Sequence, residues 1–235
     1  MANMYAVPAP ELLRGNSYPG RGIILGHSAG GAACAAYFIM GRSPNSRNRI
    51  FEEGEGCLYT RPFDEALAGD TALTIYTAMR ADERRLILTN GSQTEGIWQA
   101  MEAGASFGAA LMDWSYEPDA PHYTPRISGV MEEGGYTLSI LKKEPLGEGC
   151  CRYFYAYQGQ PGLGRLIHTY AGEDSPLPSF AGEPRAIAIP HSIDEFANGL
   201  WNALDGENKI SLYVRFFGPD GAESRLFNRN RKEGA

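Results

Sequence analysis

Two apolar runs joined by a glycine pair constrain the fold of this chain more than any other feature of its sequence. The run Gly22-Ile23-Ile24-Leu25 lies within residues 21–28, and Gly30-Gly31 follows it as a turn signal. Residues 32–42 then contain the run Tyr37-Phe38-Ile39-Met40. Both runs are continuously apolar. Together they predict a β-hairpin that is buried on both faces.

The rest of the chain predicts strands and helices that do not alternate regularly. Ser92 and Glu95 form a capping-box pattern at the start of a predicted helix over 93–104, and Asp70 is the predicted N-cap of a helix over 70–80. Further helices are predicted over 107–114 and 194–204, and further strands over 86–88, 126–131, 136–142, 152–157, 165–170 and 210–217. Residues 1–17 are predicted to be an irregular N-terminal extension, and residues 18–235 a single domain. This order of elements predicts an α+β fold with largely antiparallel sheets.

Composition and charge exclude several classes of protein. The 235 residues are 43% hydrophobic and 21% charged, which is typical of a globular protein. A net charge of −7 argues against a nucleic-acid partner. The four cysteines lack C-x-x-C spacing, so we expect reduced thiols and no metal site. Neither a secretory signal nor an apolar run of about 20 residues is present, so we expect a cytoplasmic protein with no membrane partner.

A basic segment follows the second strand of the hairpin. Arg42, Arg47 and Arg49 lie within it, with Asn48 and serines between them and no acidic residue. Arginine forks bind phosphate in bidentate fashion, and loops on a rigid scaffold often carry binding sites. The segment therefore favours a site for a small anion, and a solvated basic loop is the alternative.

Three further places are candidates for the same site. Asn90-Gly91-Ser92 opens a predicted helix, where free N–H groups attract anions and a glycine lets the backbone approach a ligand. Tyr76 and Arg80 are spaced i, i+4 and share one face of the predicted helix. Glu117 lies at the start of a proline-marked loop. The structural alternatives are a plain helix cap, a core tyrosine and a solvated carboxylate.

The pattern Gly26-His27-Ser28-Ala29-Gly30 matches the G-x-S-x-G elbow of serine hydrolases. Three points argue against that function. The motif lies too near the start of the chain for the earlier strands of that fold, the residues after it resemble a strand, and the later elements do not alternate. We therefore interpret Ser28 as part of the hairpin turn and keep a serine hydrolase as an alternative.

Five segments, in order and with similar spacing, resemble the archaeal-type IMP cyclohydrolases. They cover roughly residues 18–131 and are Tyr18-Pro19-Gly20-Arg21-Gly22-Ile23, the segment from Gly41 to Arg49, Ile75-Tyr76-Thr77-Ala78-Met79-Arg80, Thr89-Asn90-Gly91-Ser92-Gln93-Thr94, and Tyr116-Glu117 with Thr124-Pro125-Arg126-Ile127. The resemblance implies a four-layer αββα sandwich of the Ntn-hydrolase-like type. It also implies that the chain closes the second purine ring of FAICAR, a formamido-imidazole-carboxamide ribotide, to give IMP.

The resemblance also implies roles for individual residues. Tyr76 and Glu117 would transfer protons, and Arg42 or Arg49 would stabilise the oxyanion or hold the phosphate. The other implied substrate-binding residues are Arg21, Arg47, Asn48, Arg80, Asn90, Gly91, Ser92 and Arg126. No cofactor is implied, the partner is a small nucleotide, and a homo-oligomer stays open. The alternatives are a non-catalytic nucleotide-binding protein, an amidohydrolase with a related substrate, and the serine hydrolase.

Overall fold

The computed structural model describes residues 6–69, 71–219 and 221–230. The helices are α1 (Ala9–Arg14), α2 (Pro44–Arg47), α3 (Gln93–Glu102), α4 (Phe107–Ala110) and α5 (Ile193–Ala203). The strands are β1 (Val7–Pro8), β2 (Arg21–His27), β3 (Ala33–Met40), β4 (Arg49–Gly54), β5 (Cys57–Pro62), β6 (Thr77–Ala81), β7 (Leu86–Thr89), β8 (Arg126–Glu132), β9 (Gly135–Lys143), β10 (Cys150–Gln158), β11 (Leu163–His168), β12 (Arg185–Ala188), β13 (Lys209–Gly218) and β14 (Gly221–Asn228).

The strands form two seven-stranded sheets. The first has the order β1-β12-β11-β2-β3-β13-β14, and the second has the order β10-β9-β8-β7-β6-β5-β4. Neighbouring strands are antiparallel throughout, except that β1 pairs with β12 in parallel. The predicted α+β class with largely antiparallel sheets is confirmed.

The hairpin of β2 and β3 lies in the middle of the first sheet and is covered on both faces. One face contributes Ile23, Leu25 and Tyr37 to a core shared with residues of the second sheet. The opposite face contributes Ile24 and Phe38 to a second core, on which α1 and α5 pack. Successive side chains of a strand point to opposite faces, so a strand covered on both faces is apolar at every position. The prediction of a doubly buried hairpin is confirmed.

A third core covers the other face of the second sheet. Ile97, Trp98 and Met101 of α3 pack against Ile87 and Val130 of the sheet. Their spacing places these three side chains on one face of the helix, as expected for a surface helix. Helix α3 therefore lies over the sheet, and its N-terminus lies beside the end of β7.

The prediction of a helix over 70–80 is wrong, and its N-cap Asp70 lies outside the described residues. A turn over 72–74 leads into strand β6 instead. The segment Thr74-Ile75-Tyr76-Thr77 consists of β-branched and aromatic residues, which favour strands, and β6 pairs with both β5 and β7. Strand pairing therefore outweighs the i, i+4 pattern.

Smaller differences occur at helix ends and in the N-terminal segment. Ser92 is the N-cap of α3, but its side chain makes no capping bond because its own backbone is already helical (φ −67°, ψ −6°). Helix α4 ends at Ala110, short of the predicted end. Within the predicted irregular extension, residues 7–14 form β1 and α1.

Candidate active site

A cavity of about 450 Å³ opens where β2 begins, β3 ends and β4 begins. This is the size of an ordinary small-molecule site. Its lining comes from five parts of the chain: Tyr18, Gly20 and Arg21; Met40, Arg42, Ser43, Asn45, Ser46 and Arg49; Leu73 and Thr74; Glu117, Asp119, His122 and Thr124; and Tyr170, Glu173, Asp174, Ser175 and Leu177. The cavity therefore brings together four of the predicted site residues, namely Arg21, Arg42, Arg49 and Glu117.

Arg21 and Glu117 form a buried bidentate ion pair in the wall of the cavity. Nη1 and Nη2 of Arg21 donate to Oε1 and Oε2 of Glu117 at 2.8 and 2.9 Å. The Glu117 side chain is 2% exposed and the Arg21 side chain 12%. Burial raises the pKa of Glu117 above its usual value, and Arg21 opposes this rise only in part. Glu117 is thus an acid whose protonation is shifted toward neutral pH.

This ion pair is supported by three neighbouring residues, Asn90, Gly91 and Arg126. The Asn90 carbonyl accepts a hydrogen bond from Arg21, and its side chain is held by the backbone of Pro125 and Ile127. Nη1 of Arg126 lies 3.9 Å from Oε1 of Glu117, and burial lowers the pKa of Arg126. A Cβ at residue 91 would overlap Arg126, so the glycine is needed for this close approach.

Tyr76 does not line the cavity itself; it is buried, with 7% of its surface exposed, two residues after Thr74, which does. Its hydroxyl lies 2.8 Å from the hydroxyl of Tyr37. The Tyr76 phenol also interacts electrostatically with three buried arginines, Arg21, Arg49 and Arg126. Tyr76 therefore belongs to the polar cluster around Glu117, although it enters from a strand and not from a helix.

Arg42 and Arg49 differ in their surroundings. Arg42 is exposed and stacks on Tyr18, with its guanidinium carbon 3.9 Å from the ring centre. Arg42 makes no ion pair with any carboxylate in the described part of the chain. Arg49 is buried, and its Nε and Nη2 donate to the carbonyls of Ser46 and Met40 at 2.7 and 3.2 Å. Among the described residues Arg42 is thus an unpaired cation at the cavity, whereas Arg49 is fixed by two backbone carbonyls.

Eight predicted site residues lie outside the lining of the cavity. Four of them, Tyr76, Asn90, Gly91 and Arg126, belong to the cluster described above, and the other four make different contacts. Arg47 donates to the carbonyl of Gly41, and Asn48 bonds the backbone of Asp64 through both ends of its amide. Ser92 is exposed at the start of α3. Arg80 faces α3, where it pairs with an acidic side chain.

A β-bulge explains the position of Arg80. Leu58 pairs with Met79 while Tyr59 pairs with Thr77, so one extra residue interrupts β6. The bulge reverses the alternation of faces, and therefore Tyr76 points into the core between the sheets while Arg80 points toward the opposite side.

Ser28 lies in the turn of the central hairpin, as the sequence predicted. It is 1% exposed, and its backbone N–H donates to the carbonyl of Ala32. No histidine among the described residues contacts its hydroxyl. This geometry does not present a serine nucleophile.

Sequence reasoning missed a second polar cluster in the cavity. The Thr124 hydroxyl donates to the Asp119 carboxylate and bonds the Tyr170 hydroxyl. Burial raises the pKa of Tyr170 to about 12, so this phenol stays protonated. Tyr37 was also missed, although a hydroxyl inside a continuously apolar strand needs a polar partner and was the available signal.

Neither a metal site nor a membrane-spanning helix is found in the described residues. No group of three or more His, Cys, Asp or Glu side chains there could hold a metal ion. No described helix has the length and apolar character needed to cross a membrane.

Comparison with known proteins gives a consistent result. The sequence model of the family described as "IMP cyclohydrolase-like protein" matches residues 18–221. The IMP cyclohydrolase of Methanopyrus kandleri is 30% identical over 165 residues, which are 69% of this chain and 79% of that protein. The IMP cyclohydrolase of Haloquadratum walsbyi is 28% identical over 131 residues, or 54% of this chain and 63% of that protein. The chain therefore belongs to the IMP cyclohydrolase-like family of hydrolase-type enzymes.

Proposed function

We propose that this protein closes the second ring of FAICAR to give IMP, with loss of one water molecule. The observation that carries the proposal is the buried Arg21–Glu117 pair in the wall of a cavity that also holds Arg42 and Arg49. Membership of the family and two relatives named IMP cyclohydrolase support the choice of substrate. Binding of a nucleoside monophosphate needs a cation for the phosphate, and the reaction needs a proton-transfer group near the base. This cavity offers both.

Glu117 is the proposed acid–base group. In the reaction the carboxamide nitrogen attacks the formyl carbon and loses one proton. The formamido nitrogen then loses its proton as the C=N bond forms and the C–O bond breaks, so the former formyl oxygen leaves with both protons as one water molecule. A carboxylate can take each proton in turn and pass it to the departing oxygen. The pKa of Glu117, raised by burial, suits a group that must do both. Arg21 bonds both oxygens of Glu117 and so fixes its orientation.

Tyr76 and Arg49 are the proposed donors to the tetrahedral oxyanion. Both are buried, and each contributes to the electrostatic surroundings of the other. Nη1 of Arg49 makes no hydrogen bond within the described residues, whereas the other two nitrogens are anchored to carbonyls. Donors fixed before the reaction stabilise a developing negative charge without reorganising.

Arg42 is the proposed phosphate ligand, which is one of the two roles that the resemblance leaves open for Arg42 and Arg49. It is exposed at the cavity, forms no ion pair with another described residue, and lies beside Ser43, Asn45 and Ser46, which also line the cavity. Arg126, Asn90 and Gly91 are proposed to support Arg21 and Glu117. We assign no substrate contact to Arg47, Asn48, Arg80 or Ser92.

The proposal extends to the fold of the protein and to its location in the cell. Two sheets share a core, and helices cover an outer face of each, which supports an αββα arrangement of the Ntn-hydrolase-like type for residues 18–235 as a single domain. Four free cysteines support a reducing compartment such as the cytoplasm.

The test is to mix the purified protein with FAICAR, without added metal, and to follow IMP formation against an enzyme-free control. We expect conversion well above the control. Tight IMP binding without conversion would overturn the catalytic proposal in favour of a nucleotide-binding protein. Labelling of Ser28 by a fluorophosphonate probe, with no conversion of FAICAR, would favour the serine hydrolase.

A further inference from the structure

We propose that Tyr37 is a positioning residue. Its hydroxyl donates a hydrogen bond to the Tyr76 oxygen and thereby directs the Tyr76 hydroxyl proton toward the cavity. This inference rests on the proposed function, in which Tyr76 donates to the oxyanion. Tyr37 itself touches no reacting atom. It acts through the orientation of the second hydroxyl.

The two tyrosines come from different sheets. Tyr37 lies in the middle of β3 in the first sheet, and Tyr76 directly precedes β6 in the second. Their hydroxyls are 2.8 Å apart in the core between the sheets. Stacking on Phe51, with ring centres 5.4 Å apart, holds the Tyr37 ring in place. The contact is thus built from two rigid elements.

Burial decides which hydroxyl donates. Tyr37 has no exposed surface, and Tyr76 is its hydroxyl's only partner among the described residues. A buried donor without an acceptor costs about 1–3 kcal/mol, so the Tyr37 proton points to the Tyr76 oxygen. Burial raises the pKa of Tyr37, which keeps that proton in place.

The direction of this bond leaves Tyr76 with a proton to give. An oxygen that accepts from Tyr37 cannot also send its own proton back along the same line. Tyr76 is 7% exposed, and Thr74, two residues before it, lines the cavity, so we place its remaining proton on that side, where it can meet a substrate oxygen. A phenol fixed in this way needs no reorientation when the oxyanion forms.

Hydroxyl deletions test the inference against a matched control. Tyr213 is the cross-strand neighbour of Tyr37, is equally buried in the same core, and donates to Glu53 outside the cavity. We expect Tyr37→Phe to lower kcat by about tenfold with little change in KM, while Tyr213→Phe leaves both unchanged. Equal effects of the two variants would overturn the inference.

A double variant tests whether Tyr37 acts through Tyr76. We expect Tyr37→Phe to have no further effect on kcat in a Tyr76→Phe background, because the hydroxyl that it orients is already absent. Additive losses would show an independent role for Tyr37 and overturn the inference.

An NMR measurement separates this inference from the proposed reaction. In protein labelled at the tyrosine Cζ carbon, Tyr37→Phe should shift the Tyr76 resonance and Tyr76→Phe should shift the Tyr37 resonance, whereas Tyr213→Phe should move neither. Unshifted resonances overturn the inference whatever the substrate. If the resonances shift but the unmodified protein does not convert FAICAR, the hydroxyl pairing stands and the proposed reaction fails.

Discussion

Two arginine–glutamate pairs in this protein have similar chemistry and opposite surroundings. Arg21 and Glu117 are joined by two bonds of 2.8 and 2.9 Å, and their side chains are 12% and 2% exposed. Arg80 and Glu95 are joined by one bond of 2.5 Å, and their side chains are 37% and 42% exposed. The first pair lies in the cavity wall and the second on the helix-covered side of the second sheet.

This difference in burial is the reason that we propose a function for the Arg21–Glu117 pair and none for the Arg80–Glu95 pair. An exposed pair gains little because water screens it and two long side chains lose freedom. A buried pair must overcome the loss of hydration of both charges, so it is a costly way to stabilise a fold. The Arg21–Glu117 pair is therefore best explained by chemistry in the cavity.

The largest expected effect is on stability. Arg21→Ala leaves the Glu117 carboxylate buried without its partner, and we expect the free energy of unfolding to fall by about 3–5 kcal/mol. Arg80→Ala should cost less than about 1 kcal/mol, because its pair is exposed. Urea unfolding of both variants measures the difference, and equal losses would contradict the comparison.

Removal of the Tyr76 hydroxyl tests the chemistry proposed for the buried Arg21–Glu117 pair. Because Tyr76 is proposed to donate to the oxyanion beside Glu117, Tyr76→Phe should lower kcat by about a hundredfold. Steady-state kinetics with FAICAR measure this loss. The matched Tyr59→Phe variant removes a hydroxyl that lies beside Cys57 and Arg61, and it should keep the original kcat. Full activity of Tyr76→Phe would remove Tyr76 from the mechanism.

A smaller effect is expected at the exposed cation of the cavity. Arg42→Ala should raise KM by about tenfold with little change in kcat, because a phosphate contact is present in both the ground state and the transition state. Arg61, which stacks on Tyr59 at 4.6 Å outside the cavity, is the matched control. A fall in kcat at constant KM would assign Arg42 to the oxyanion and not to the phosphate.

The smallest effect is the pH dependence of stability. Burial raises the pKa of Glu117 in the folded state, so the folded protein binds this proton more tightly than the unfolded chain. The stabilisation is complete below the unfolded value of about 4.3 and is lost as the pH rises through the folded pKa. Glu117→Gln removes this titration. Urea unfolding over a pH series should show the unmodified protein losing stability relative to the variant as the pH rises, and an opposite trend would contradict the pKa direction.

The sequence predicted secondary structure correctly where the pattern of apolar residues fits only one type of element. The hairpin of β2 and β3 was correct because both of its faces are buried, which leaves a continuously apolar run. Tyr76 and Arg80 were misplaced because a spacing of four residues fits a helix face and also an even number of strand positions. The bulge in β6, which separates their side chains, has no clear signal in a single sequence.

The residues of the candidate site could be predicted from the sequence, but their arrangement in space could not. Arg21 and Glu117 are 96 residues apart, and only the paired sheets and the loop before β8 bring them together. The Asp119–Thr124–Tyr170 cluster was missed for the same reason, since Tyr170 follows a strand of the other sheet. Resemblance to a family supplied the candidate residues, and the structure separates those at the cavity from those that lie outside it.

The most direct test of the account compares the two glutamates of the two ion pairs. Glu117→Gln and Glu95→Gln make the same chemical change, one in the cavity wall and one outside it. In a FAICAR assay we expect Glu117→Gln to lose about a hundredfold or more in kcat and Glu95→Gln to match the unmodified protein. If Glu117→Gln retains full turnover in a folded protein, the claim that the buried pair carries the chemistry is wrong.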